Sequence, residues 1–301
     1  MLRPRLITSA TLLLATSITA LNLPTYRGLQ TDQSRKGVLQ IAFNNPDSEI
    51  NVWGQDAVKG LTDIVSRLQN NTEIKAIVFT SDVTNYFVAH LDLVSPFDPT
   101  ISQRSVELFH ALTELPQVTI AAVNGVARGA GNELLVSLDM RFAVKSRSRF
   151  GQPEIAAGFV PGGGGMSYLP RLIGRGRAME YILTGKDITA EDAERIGWIN
   201  KAFDSEREMY AHIDDILEVL TLYTTTSLGL VKQSINVASR PKLQDTIDDS
   251  NRFLESARQP ETQQLLRDFL VLTRNQSDGD VELHLGENVP ALHNVSVEVG
   301  L

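Results

Sequence analysis

Glu133 and Glu154 are the residues of this chain best placed to move protons. Glu133 closes the run Val123-Asn124-Gly125-Val126-Ala127-Arg128-Gly129-Ala130-Gly131-Asn132-Glu133. Glu154 ends Phe150-Gly151-Gln152-Pro153-Glu154, which leads into Gly158 and then Pro161-Gly162-Gly163-Gly164-Gly165. Each carboxyl stands beside a glycine-rich turn, where backbone approaches a ligand closely because no Cβ intervenes. Two carboxyls facing one small reactant divide acid and base work when their surroundings separate their pKa values. The chemistry this implies is proton transfer next to a carbonyl. The Gly129–Gly131 turn supplies a second component. A strand, a tight turn and a helix N-terminus near Ala130 present free backbone N–H groups and the positive end of the helix dipole, which suits an oxyanion. Taken singly, each feature has a bland alternative: a glutamate in a first helical turn complements the dipole, Pro-Glu is an ordinary solvated turn, and a glycine turn needs no ligand. Their joint setting singles out the site.

The elements that must position these groups follow from hydrophobic spacing. Val38–Asn44 and Ile74–Thr80 read as strands, and Val58, Leu61, Val65 and Leu68 repeat at helical spacing within 53–69. Residues 102–115 form a further helix closed by Pro116, Val118–Val123 a strand into the glycine turn, Glu133–Leu138 a helix and Met140–Val144 a strand. Strand and helix alternate, which predicts an α/β architecture over 35–204. From 205 the pattern changes to helices only, over 207–222, 227–238, 241–257 and 260–272, with Pro241 and Pro260 at helix starts. Residues 205–274 therefore read as a helical C-terminal module. Residues 275–301 carry acidic side chains but no Lys or Arg, with scattered Gly and Pro, and read as a loose acidic tail.

Composition narrows the function classes. The chain has 301 residues, 42% apolar, with 36 acidic and 28 basic side chains and a formal net charge of −8. That balance argues against nucleic-acid binding, which needs clustered basic residues. The absence of cysteine excludes disulfides, thiolate nucleophiles and cysteine zinc sites. The five histidines show no metal-binding spacing, so no metal is expected, and Ser167 lacks the glycine-flanked elbow of a nucleophilic serine. The spacing of Gly125, Gly129 and Gly131 is not that of a dinucleotide fold. Residues 1–20 have Arg3 and Arg5 ahead of an uncharged run centred on Leu12-Leu13-Leu14-Ala15 and end on small residues near Ala20. This reads as a secretory signal peptide, with a mitochondrial presequence as the competing reading, and no membrane association after processing.

The two glutamate-bearing segments, together with Leu172-Ile173-Gly174, Leu183-Thr184-Gly185 and Ala193, Ile196 and Gly197, resemble the crotonase superfamily of enoyl-CoA hydratases and isomerases. Upstream, Tyr86-Phe87-Val88-Ala89-His90-Leu91-Asp92-Leu93 is similar to that family's first oxyanion loop, and Asn45-Pro46 to its turn after the first strand. The resemblance covers about residues 35–275. It implies a spiral of ββα units with a C-terminal module that builds trimers, often paired into hexamers. It implies an acyl-CoA or related thioester as substrate, with CoA as part of the substrate and no separate cofactor. Glu133 and Glu154 are the implied acid/base pair. The backbone N–H groups of Leu91 and Ala130 are the implied oxyanion donors, and Ile50, Ala89, His90, Leu93, Gly129 and Gly162 the substrate-binding positions. Retention of both acids favours hydration over single-glutamate isomerisation, and Gly162 stands where dienoyl-CoA isomerases of the family carry an acid.

Three departures shape the expectation. His90 and Leu91 occupy places the family gives to small residues, so the acyl pocket is reshaped, and His90 is a candidate extra donor to the thioester. Ala130 replaces the middle glycine of the second turn. The turn Asp47-Ser48-Glu49-Ile50-Asn51 and the loop from Asp92 to Arg104 lack the lysines that hydratases often aim at the CoA nucleotide. The alternatives are a secreted crotonase-fold protein with a binding or interaction role and weak or no CoA activity, or enolate chemistry on a non-CoA carbonyl substrate in secondary metabolism.

Overall fold

In the computed structural model, residues 21–96, 98–288 and 293 are described. The segment read as a signal peptide lies outside them. A six-stranded sheet is formed by β1 (Leu29–Asp32), β2 (Val38–Phe43), β3 (Ala76–Ser81), β5 (Val118–Val123), β7 (Met140–Val144) and β10 (Lys201–Phe203), in the order β1-β2-β3-β5-β7-β10. Only β1 runs antiparallel to its neighbour. A smaller sheet, order β4-β6-β8-β9, is built from β4 (Asn85–Val88), β6 (Gly125–Arg128), β8 (Arg149–Gly151) and β9 (Ile188–Thr189). The chain passes from the large sheet to the small one and then into a helical turn three times in succession. β3 and β4 lead to α2 (Ile101–Glu114), β5 and β6 to α3 (Ala130–Ser137), and β7 and β8 to a 3-10 turn at Glu154–Ala157. β4, β6 and β8 are mutually parallel, so their C-terminal ends lie side by side.

The large sheet is covered on both faces, which is why β5 is buried along its whole length and apolar at every position but Thr119. One face, with Leu39, Ile41, Ile77, Phe79, Ala121 and Val123, packs with α1 (Gln55–Leu68), α2, α3 and the small sheet. The other, with Val78, Ile120, Ala122 and Phe142, meets Met209, Ile213 and Leu217 of α7 (Glu206–Leu220). The remaining helices are α4 (Gly165–Ile173), α5 (Arg175–Thr184), α6 (Ala190–Ile196), α8 (Thr225–Ser239), α9 (Leu243–Ala257), α10 (Pro260–Leu272) and the short α11 (Gly279–Leu283).

The helices expected after 205 are present, but α9 packs on α2 and α4, and α10 on the 3-10 turn, so these helices belong to the core and to the walls of the site. The expectation of a loose tail is corrected over 275–288. Arg128 crosses to it from β6, fully buried, bonding both carboxylate oxygens of Asp187 and the carbonyls of Glu282 (2.6 Å) and Leu283 (2.9 Å). Gln276, Glu282 and Leu285 are buried. Composition marked the segment as polar; the partner that holds it is an arginine far away in sequence.

Candidate active site

The two glutamates and the two expected amide donors sit just past the ends of β4, β6 and β8. β4 runs out into Ala89-His90-Leu91, β6 into Gly129 and the start of α3, and β8 into Gln152-Pro153-Glu154. Backbone bonds stitch these ends together: Arg128 N–H donates to Ala89 O (3.0 Å), and Gly129 N–H to Gly151 O (3.1 Å). Pro153, with no N–H to continue the ladder, ends the strand and caps the 3-10 turn that carries Glu154.

Glu133 and Glu154 line one cavity of about 90 Å³, together with Leu91 and Ala130. Its wall is otherwise mainly apolar and includes Trp53, Leu93, Ala156, Phe159, Phe253, Phe269 and Leu285. The two expected donors are free: among the described residues, neither Leu91 N–H nor Ala130 N–H finds a protein acceptor. Trp53 explains the first case, because it bonds the carbonyl of His90 and the N–H of Asp92 and leaves the amide between them pointing away. Ala130 is the first residue of α3, where helical N–H groups have no intrahelical partner. Gly129 before it adopts φ +47°, a left-handed conformation; a Cβ there would lie 3.1 Å from Oε1 of Glu154.

The two carboxyls have different surroundings. Oε1 of Glu133 accepts from Gly163 N–H (2.7 Å) and Gly165 N–H (3.0 Å). Gly163 is glycine for want of room, since a Cβ would fall 2.3 Å from Oε2 of the same carboxylate. Burial raises the pKa of Glu133 to about 7, with the two amides pulling it down and Asp249 adding a smaller upward push. Burial and then the charge of Glu133 raise Glu154 well above the ordinary range. Glu154 as a residue is half-buried, but its Oε2 is enclosed and without a partner, while Oε1 accepts from Gln152.

The other expected positions divide. Leu93, Gly129 and Gly162 line the cavity, and Gly162 O accepts from Ser102 Oγ (2.9 Å). Ile50 and Ala89 do not; both are fully buried in a cluster with Val52, Tyr86 and Val126, where they support the loop from behind. His90 lines the cavity but is not an extra donor to a ligand. Its Nε2 is bonded to Oε2 of Glu282 (2.8 Å), and its Nδ1 faces Gln276 Nε2 (2.9 Å) and Leu91 O (3.0 Å). Burial opposes the charged ring, but the Glu282 carboxylate and the Leu91 carbonyl outweigh it, and the His90 pKa is raised. Sequence reasoning missed Trp53, Ser102, Ser105, Phe159, Phe253, Phe269 and Leu285. The apolar positions among them carry no local signal distinguishing a cavity wall from core.

The model of the enoyl-CoA hydratase/isomerase family matches residues 33–270. The chain belongs to this family. It is 33% identical over 208 residues to the short-chain-enoyl-CoA hydratase of Clostridium acetobutylicum, covering 67% of this chain and 79% of that one. It is 30% identical over 230 residues to a Dictyostelium discoideum protein named probable mitochondrial enoyl-CoA hydratase, covering 75% and 82%. A Streptomyces avermitilis crystal structure, provisionally described as an enoyl-CoA hydratase, superposes with TM-score 0.81 at 31% identity, over 89% of this chain and 98% of that chain. The fold is thus the crotonase fold, and the protein is a hydratase/isomerase enzyme.

Proposed function

We propose that this family member hydrates an α,β-unsaturated acyl thioester, with Glu133 as base and Glu154 as acid. The observation that carries this reading is the unequal setting of two carboxyls on one cavity that also holds two free amides. Two N–H groups stabilise the charged form of Glu133; Glu154 has an enclosed, unpartnered oxygen and the Glu133 charge nearby, which favour its neutral form. Glu133 takes a proton from water as the water oxygen bonds to the β carbon. The C=C electron pair moves toward the carbonyl, and the thioester oxygen gains enolate charge in front of Leu91 N–H and Ala130 N–H. Glu154 delivers its proton to the α carbon, and transfer of the proton from Glu133 to Glu154 restores the enzyme. Donors fixed on the developing charge act on the transition state, and each is worth about 3 kcal/mol.

Hydration of crotonyl-CoA, followed by loss of absorbance of the conjugated thioester, tests this. Glu154→Gln should lower kcat by a factor of about 10³. An unchanged rate removes Glu154 from the mechanism. In the native enzyme, kcat/KM should rise as pH climbs through about 7, where Glu133 loses its proton, and fall again above the raised pKa of Glu154.

A second reading, enolate chemistry on a carrier other than CoA, is favoured by the crevice beside the site. It is lined by Asp47, Asp56, Asp92 and Asp98 and by no Lys or Arg among the described residues. The neighbouring Arg27 and Arg104 are already paired, the first with Asp47 and Asp56, the second with Asp98. A polyphosphate gains little there. Acetoacetyl-CoA titration against the matching short thioester without the nucleotide separates the two: equal affinity favours the second reading. Export of the chain belongs with that reading, and N-terminal sequencing of the native protein decides it, processing near Ala20 being the expected result.

A further inference from the structure

A line of three buried polar side chains ends on Glu154. Trp198, Asn132 and Gln152 are all fully inaccessible to solvent. The indole Nε1–H of Trp198 donates to Asn132 Oδ1 (2.9 Å), Asn132 Nδ2–H donates to Gln152 Oε1 (2.5 Å), and Gln152 Nε2–H donates to Glu154 Oε1 (3.0 Å). The ends of Asn and Gln amides are interchangeable in shape, so their orientation must be imposed by a partner with one role only. Trp198 is that partner, because an indole N–H donates and never accepts. It forces the oxygen of Asn132 toward itself. The nitrogen of Asn132 then faces Gln152 and takes its oxygen, and the nitrogen of Gln152 is left for Glu154.

The anchor is rigid. Gly197, at φ +87°, ends α6, Trp198 N–H returns to Ala193 O (2.8 Å), and the indole meets the Tyr181 ring edge-on at 5.5 Å. Asn132 is adjacent to Glu133 on the first turns of α3, so one short helix directs Glu133 to the glycine loop and Asn132 to the Glu154 side.

We propose that Trp198 and Asn132 are positioning residues that, through Gln152, hold an N–H donor on Oε1 of Glu154 and thereby make Oε2 the oxygen that gives and takes the proton. A proton on Oε1 would face the N–H of Gln152, so the neutral acid carries its hydrogen on Oε2, the enclosed oxygen with no other partner. The inference rests on Glu154 as the acid of the reaction. It adds which oxygen acts and which distant residues choose it.

The test reads the carboxyl directly and not only the rate. Protein labelled with 13C at the glutamate side-chain carboxyl is titrated by NMR, with Glu154→Gln assigning the Glu154 signal. Asn132→Leu and Trp198→Phe leave the net charge unchanged, and Gln152→Met gives the shift for complete loss of the donor. The Glu154 titration should move upward by about 1 unit in Gln152→Met and Asn132→Leu, and by a smaller amount in Trp198→Phe. With crotonyl-CoA, kcat should fall about tenfold with KM within about twofold, and the alkaline limb of the pH profile should move with the titration. A Glu154 titration that stays put in natively melting Asn132→Leu or Trp198→Phe protein, while Gln152→Met moves it, overturns the proposal. Should Asn132→Leu fail to fold, Trp198→Phe decides alone. Full activity of Glu154→Gln would instead sink the acid assignment, and the NMR shifts would still judge the positioning line.

Discussion

Glu133 is maintained at a cost in stability. A carboxyl with a folded pKa of about 7 and an unfolded value near 4.5 binds more protons folded than unfolded between those values. Stability contributed by its neutral form is therefore complete below about pH 4.5 and is lost as pH rises toward 7, by about 3 kcal/mol in total. Glu133→Gln, which keeps an oxygen for Gly163 and Gly165, should thus melt higher than the native protein at pH 8, with the difference closing at pH 5. Calorimetry at both pH values checks this; an equal or lower melting temperature at pH 8 would show that the carboxylate is well solvated. Both glutamates stood out in the sequence because each lies near a glycine-rich turn, although the glycines of each turn crowd the other acid: Gly129 lies against Glu154, and Gly163 and Gly165 against Glu133. The division of labour proposed for them was not legible, since it depends on which amides Glu133 reaches across the loop after Pro161 and on what Glu154 lacks.

Three short strand ends, those of β4, β6 and β8, bring the donors and acids together. None of these strands exceeds four residues, and β6 begins with glycine, so the alternation that reveals a strand has no room to show. The longer elements were legible: β5 and β7 fall where the apolar runs place them, and α1 and α2 within two residues. The segment after α10 was misread for a related reason, because its anchor, Arg128, belongs to β6. Arg128→Met should cost about 3–5 kcal/mol, since Asp187 and two carbonyls lose a buried charged partner. Urea denaturation should register the loss. Amide exchange should accelerate over 276–288 well beyond the rise in the β5 core, and uniform protection would show that the segment is held by its apolar contacts instead.

At the scale of the molecule, α8 turns an apolar face outward. Leu230, Val231 and Ile235 are each more than 60% exposed, and Val237 is 89% exposed. Val231 and Ile235 border a groove of about 580 Å³ with Tyr223, Leu138 and Leu172. A patch of this kind on a single chain marks a contact surface, and we propose that it is covered by a second copy in a homotrimer, with paired trimers as the higher form. Ile235→Glu should reduce the mass measured by light scattering from that of a trimer to that of a single chain, leaving the far-ultraviolet dichroism unchanged. A native protein that already elutes as a single chain would end the proposal.

The chain's sequence alone determined the fold family and the α/β alternation, and it singled out the two glutamates and the two amides on which the proposed function rests. These reside in local patterns: glycines where backbone must come close, apolar periods where strands are buried, and a helix start where N–H groups lack partners. Tertiary structure decided the rest. It folded the C-terminal segment over the cavity, committed both nitrogens of His90 to neighbours, placed Ile50 and Ala89 behind the loop, and joined Trp198 to Glu154 through two amides. Each of those depends on contacts between residues remote in the chain, and a hydrogen bond across such a distance leaves no period, spacing or composition to read.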